Sequence, residues 1–165
     1  MDKIKILLVD DEEEFVHTLA ERIKMRLLKS YEEMTTAASL AEGGGPDMAR
    51  QYLKDKEEKE EKRKFYKEKL GSEIALNGEE ALKIVSNEEP DVMILDLKMP
   101  GIGGMEVLRR IRKQYPAVQV IILTGHGSEK DERQAKELGA FGYLEKPVEI
   151  DVLVDQIKKA YKSAK

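Results

Sequence analysis

Five polar residues stand at or just past the ends of apolar runs. Asp10 and Asp11 follow Ile4 to Val9, Asp96 follows Val92 to Leu95, Thr124 follows Val118 to Leu123, and Lys146, with Pro147 behind it, comes shortly after Phe141 to Leu144. If the ends of those runs meet, three carboxylates, a hydroxyl and an amine converge. Crowded carboxylates repel and raise one another's pKa unless a divalent cation compensates. Mg²⁺ favours a few carboxylates supplemented by waters and phosphate oxygens, so this residue set reads as a magnesium site shaped for a phosphoryl group.

Convergence depends on the elements that carry these residues. The four runs are short, rich in β-branched residues and separated by segments of helical spacing, the alternation of βαβ units with a parallel sheet. Their near-continuous apolar character suits strands covered by helices on both faces. In a parallel sheet the strand ends point the same way, and open α/β folds place ligands at that rim. A weaker fifth strand, Ser72 to Leu76, is expected at an edge. Asn77 is placed to cap a helix from Gly78 to Ser86, with Glu80 completing a box-like start. Met105, Leu108 and Ile111 mark the buried face of the next helix. Ser128 caps one that runs through Leu138 and stops at Gly139, and Ile150, Val154 and Ile157 form the inward stripe of the last. The fold class is α/β, with five strands and five helices in alternation.

One stretch departs from this pattern. Val16, Ala20, Ile23, Leu27, Tyr31, Met34, Ala38 and Ala41 recur at spacings of three and four, so the first helix is expected to continue to about Ala41. Gly43, Gly44, Gly45 and Pro46 break it. From Asp47 a second helical stretch begins, and between Lys54 and Lys69 every residue except Phe65 and Tyr66 is charged. Asp55 with Lys59, Glu58 with Lys62 and Glu60 with Lys64 stand four apart with the acid first, the favourable order on a helix. Residues 27–69 therefore read as a helical hairpin inserted into a single domain spanning 1–165. Running away from the acid-bearing rim, it is expected to be either an arm for protein contact or dimerisation, or a passive solvated insertion.

Four segments together resemble the signature of bacterial two-component response-regulator receiver domains. They are Ile-Leu-Leu-Val-Asp-Asp-Glu at 6–12, Asp-Leu-Lys-Met-Pro-Gly at 96–101, Thr-Gly at 124–125 and Tyr-Leu-Glu-Lys-Pro at 143–147. The resemblance covers about residues 3–26 and 70–162, and implies a flavodoxin-like sheet of order 2-1-3-4-5. It makes Asp96 the phosphoacceptor, attacking the phosphohistidine of a sensor histidine kinase or phosphotransfer protein. Asp11, Asp96 and the backbone carbonyl of Lys98 would hold Mg²⁺, with Asp10 acting through a coordinated water. Lys146 would meet one phosphoryl oxygen and Thr124 another, and Tyr143 would swing inward as the strand of Thr124 moves. A cis peptide is expected between Lys146 and Pro147. Gly103 departs from the acid or amide that the family often carries there, which affects a turn only. His126 is read as a loop side chain near the phosphoryl group's access route, and His17 as helix surface or core edge.

Composition narrows the alternatives. A net charge of −4 supplies no positive field for a phosphate backbone, so direct nucleic-acid binding is not expected. The chain has no cysteine, which excludes disulfides, thiolate metal sites and a cysteine nucleophile. No apolar run approaches the length of a membrane span, and a soluble, cytoplasmic protein is the expectation. No output domain is read within the sequence, so the output is expected to lie either in a downstream effector protein or in a domain beyond this chain. Two rival functions stay open: a receiver-like scaffold indifferent to phosphate, and an aspartyl-phosphate phosphatase. The second would want another Asp two residues after its nucleophile on the first strand, where this chain has Glu12. The leading expectation is a switch that catalyses only its own phosphotransfer and dephosphorylation.

Overall fold

The computed structural model describes residues 4–39 and 70–165. Strands β1 (Ile4–Val9), β2 (Leu70–Ala75), β3 (Val92–Leu95), β4 (Gln119–Thr124) and β5 (Gly142–Glu145) alternate with helices α1 (Glu13–Ser39), α2 (Gly78–Asn87), α3 (Gly104–Gln114), α4 (Glu129–Glu137) and α5 (Ile150–Ala164). All the strand pairs are parallel, and the five-stranded sheet has the order β2-β1-β3-β4-β5, with β2 at one edge.

Side-chain alternation along the strands divides the interior in two. Ile6, Leu8, Val92, Ile94, Ile121 and Leu123 point to the face covered by α1 and α5, where Val16, Leu19, Ile23, Leu153 and Ile157 meet them. Leu7, Val9, Met93, Leu95, Val120 and Ile122 point to the other face, against Ala81 and Val85 of α2, Leu108 and Ile111 of α3 and Ala135 of α4. Both faces of the central strands are thus buried, which accounts for their unbroken apolar sequence.

The helix ends follow local chemistry. The N–H of Glu80 donates to the Asn77 side chain at 2.8 Å, while the Glu80 carboxylate accepts from the N–H of Leu76 at 2.9 Å. Ser128 and Asp131 form a complete capping box at the start of α4. That helix closes with the N–H of Gly139 donating to the Lys136 carbonyl and that of Ala140 to the Ala135 carbonyl, the Schellman pattern, with Gly139 at φ 94°.

Some boundaries differ from the sequence reading. β4 starts at Gln119 because the N–H of Val118 closes a turn onto the Tyr115 carbonyl; Val118 is apolar because it is buried, and it lies outside the ladder. β5 is shifted one residue later than expected, and β2 starts two residues earlier. In α3 the fully buried residues are Val107, Leu108 and Ile111, while Met105 sits at the edge of the buried stripe.

α1 is helical for 27 residues, about 40 Å, roughly twice the length of the six-residue strand beside it. It starts next to Asp11 and runs antiparallel to β1, away from the rim that carries the acids. Among the described side chains, Leu27 is the last of α1 that belongs to the core cluster on the sheet. Around that point the helix is tied to α5: Arg26 pairs with Asp151, and Ser30 accepts hydrogen bonds from Arg26 (2.7 Å) and Lys158 (2.9 Å). The expected break at Gly43–Pro46 and the return helix lie outside the described residues. Among the described residues no helix is long and apolar enough to cross a membrane.

Candidate functional site

Strand register brings the acids together. Val9 stands opposite Leu95 in the β1–β3 pair, so the next residues, Asp10 and Asp96, leave the sheet at the same level. The N–H of Asp96 donates to the Val9 carbonyl at 2.9 Å and fixes this alignment. On the far side Thr124 stands opposite Glu145, and the N–H of Lys146 donates to the Thr124 carbonyl at 3.0 Å, holding the amine's backbone beside β4. The Lys146–Pro147 peptide is cis.

Carboxylate oxygens of Asp10, Asp11 and Asp96 lie within 4.8 Å of one another. Asp10 and Asp96 are buried, at 4% and 6% exposure, and Asp11 is open to solvent. Lys146 reaches into the group. Its Nζ donates to Asp10 Oδ2 at 2.6 Å and lies 3.8 Å from Asp96 Oδ2, 3.6 Å from Glu12 Oε1 and 4.3 Å from the centre of the Phe15 ring. The N–H of Glu12 donates to Asp10 Oδ1 at 3.0 Å.

The electrostatics show the strain of collecting these charges. Burial is the main influence on Asp10 and lifts its carboxyl above the usual aspartate range, with Asp96 adding repulsion; the hydrogen bonds from Lys146 and the Glu12 backbone only partly offset this. For Lys146 burial alone would lower the pKa, but the hydrogen bond to Asp10 and the charges of Asp10, Asp96 and Glu12 outweigh it and raise the amine. Both shifts are consistent: Lys146 is a firm cation, and one cation is too little for the acids it faces.

Three buried side-chain atoms have no hydrogen-bond partner among the described residues: Asp96 Oδ1, Thr124 Oγ1 and the Tyr143 hydroxyl. Buried polar groups are rarely left so. An oxygen-lined group of three carboxylates with a free oxygen on Asp96 fits a hard divalent cation, and an unpartnered hydroxyl on Thr124 fits an oxyanion acceptor. Lys98, whose carbonyl the resemblance assigned to the metal, lies two residues beyond Asp96 with its side chain in solvent. The loop it occupies is pinned by Gly104. A Cβ there would fall 2.2 Å from the Asp96 carbonyl oxygen, so α3 can start against the backbone behind the acid only with glycine.

The sequence reading had Tyr143 moving inward. Here its hydroxyl is already buried beneath the β4–α4 loop, where a Cβ on Gly127 would lie 1.7 Å from it. Burial raises the Tyr143 pKa, with the charges of Asp131, Glu145 and Glu132 adding to it. His126 and His17 both stay in solvent. The sequence reading missed Phe15, Glu12 and Gly127. Only Gly127, a glycine near a strand end, carried a visible signal.

The profile of the response regulator receiver domain matches residues 61–158, which begins after β1 and includes Asp96, Thr124 and Lys146. Sporulation initiation phosphotransferase F of Bacillus subtilis is 41% identical over 95 residues, 58% of this chain and 77% of that protein. The DNA-binding transcriptional regulator NtrC of Escherichia coli is 38% identical over 84 residues, and this chain spans only 18% of its length. A response regulator receiver domain protein from Methanospirillum hungatei superposes with a TM-score of 0.70 over 99% of this chain and 97% of its own, at 21% identity. A receiver domain protein from Clostridium thermocellum superposes at 0.64 with 28% identity, over 97% of this chain and 95% of its own. The chain belongs to the response regulator receiver domain family.

Proposed function

We propose that this chain is a phosphorylation-dependent signalling switch in which Asp96 accepts a phosphoryl group from the phosphohistidine of a sensor histidine kinase or phosphotransfer protein. The observation that carries this reading is the meeting of Asp10, Asp11 and Asp96 oxygens within 4.8 Å, with the Lys146 amine 3.8 Å from Asp96.

Asp10, Asp11 and Asp96, with the Lys98 carbonyl, would hold Mg²⁺, which supplies charge neutralisation for the phosphoryl oxygens when bound. Asp96 attacks phosphorus in line: an O–P bond forms as the N–P bond of the donor breaks, and the donor imidazole leaves with the bond's electron pair. Lys146 exchanges its hold on Asp10 for a phosphoryl oxygen, a compact point charge suited to that contact. The Thr124 hydroxyl donates to another. Movement at Thr124 is transmitted to Tyr143 and so to the surface around β5 and α4, where an effector or output domain would read it. The chain acts on its own aspartate and turns over no external substrate, and the reading places it in the cytoplasm with its donor.

Incubation with Mg²⁺ and acetyl phosphate tests this. One acid-stable, base-labile phosphoryl adduct is expected per chain, and none on the Asp96→Asn variant. Repeated turnover of an external phosphomonoester would make the chain a phosphatase instead. Indifference to Mg²⁺, acetyl phosphate and beryllofluoride alike would leave only a scaffold.

A further inference from the structure

We infer that Phe15 is a positioning residue for this chemistry: its ring face seats the Lys146 ammonium among the rim acids without adding negative charge where an anion must enter. The inference rests on reading Lys146 as the amine that meets a phosphoryl oxygen.

Among the described residues, Lys146 Nζ faces Asp10 at 2.6 Å, Glu12 at 3.6 Å, Asp96 at 3.8 Å and the Phe15 ring centre at 4.3 Å. Its side chain is only 14% exposed, so water covers little of the cation. An ammonium has three donors and no acceptor. Asp10 engages one of them directly, while Glu12 and Asp96 attract from longer range and fix no direction. The ring supplies what the acids cannot. Its π face attracts the cation at well within the usual contact range, and it carries no net charge. It is also held in place, because Phe15 packs against the core beneath α1.

A carboxylate at this position would hold the amine more strongly and would also repel an incoming phosphoryl group. The rim already carries Asp10, Asp11, Glu12, Glu13 and Glu14 in unbroken succession. An aliphatic side chain would fill the space but remove the uncharged attraction, leaving the amine held by Asp10, Glu12 and Asp96 alone, so that its hold on Asp10 has no neutral counterweight when a phosphoryl oxygen competes for it. Phe15 reaches Lys146 through helix phase. It lies in the first turn of α1, one residue before Val16, and so about 100° round from the stripe that faces the sheet. That angle puts the ring on the flank of α1, half-buried and beside the rim.

The test compares Phe15→Leu and Phe15→Met, which keep an apolar body, with Phe15→Tyr, which keeps the ring. In NMR spectra the Lys146 side-chain protons nearest the ammonium should be shifted upfield by the ring in wild type and Phe15→Tyr, and not in the other two. Titrated with beryllofluoride at saturating Mg²⁺, Phe15→Leu and Phe15→Met should bind about five-fold more weakly than wild type. Phe15→Tyr should bind as wild type does, and Mg²⁺ affinity should be the same in every variant. The inference is overturned if the aliphatic variants bind beryllofluoride as wild type does, or if they lose Mg²⁺ affinity in parallel, which would indicate general damage to the rim. A wild-type chain that takes up no beryllofluoride defeats the phosphoryl reading as well, an outcome told apart because it appears before any substitution is made.

Discussion

Leu95 and Asp96 are consecutive and almost equally buried, yet they belong to regions built on opposite terms. Leu95 sits at 0% exposure in a core whose neighbours, Leu7, Val9 and Ile122, ask for nothing but contact. One residue later the sheet ends. There the described residues hold Asp96, Thr124 and Tyr143 with buried oxygens that no protein donor or acceptor satisfies. Each such atom costs about 1–3 kcal/mol. The sheet interior therefore stabilises the fold, and its rim draws on that stability to hold groups in readiness for a charged ligand. The difference teaches where to look for chemistry in this chain: at the places where close packing continues and satisfaction of polar groups stops.

Four substitutions would break or sharpen that contrast. The largest effect is expected from Asp96→Asn, which should abolish phosphoryl uptake from acetyl phosphate, read by intact-protein mass spectrometry. The same variant should melt higher than wild type in the absence of Mg²⁺, because it removes one of the crowded charges; a lower Tm would show that the rim is not a site of stored cost. Leu95→Ala, one position away, should do the reverse. It should lose about 2–5 kcal/mol in urea unfolding through the cavity it leaves, with uptake at Asp96 still detectable under folding conditions.

Gly127→Ala comes next. A methyl group there meets the Tyr143 hydroxyl, so the ring should be driven outward, at a cost of about 1–3 kcal/mol if the loop resists. Tyrosine fluorescence quenching and denaturant melts would report both, and an unmoved ring would show that the loop yields instead. The smallest effect concerns Asp131, which is half-buried in the first turn of α4 and is not one of the clustered acids. Hydrogen bonds from the Ser128 hydroxyl and backbone N–H hold its carboxyl below the usual aspartate range. A depressed acid stabilises the fold above its unfolded pKa and loses that contribution as the pH falls through its folded value. The capping box should therefore weaken only below about pH 4. Ser128→Ala should lower stability at neutral pH by about 1 kcal/mol and flatten the acid limb of the Tm profile.

Much of this was legible before any coordinates. Asp10, Asp11, Asp96, Thr124 and Lys146 could be assigned to one rim because parallel strands share a direction and each residue marks the end of an apolar run. Asn77, Ser128 and Gly139 could be read as helix ends because capping uses side chains within three residues of the helix. Phe15 could not be assigned to Lys146, 131 positions away, since that contact depends on the phase of α1 and on the path of a long side chain. The buried position of Tyr143 was equally hidden, for it depends on the space above Gly127. The start of β4 was misread because hydrophobicity reports burial, and Val118 is buried in a turn.

What the sequence determined by itself is therefore the set of elements, their parallel order of ends and the kinds of group at the rim, because periodicity and capping are local properties of the chain. What only the tertiary structure decided is which of those groups touch: that Lys146 rests on Asp10 and Phe15, that Asp96 keeps a free oxygen, and that Tyr143 lies beneath Gly127. Those outcomes turn on distances of a few ångströms between segments far apart in sequence, which are settled by packing as a whole and by no residue alone.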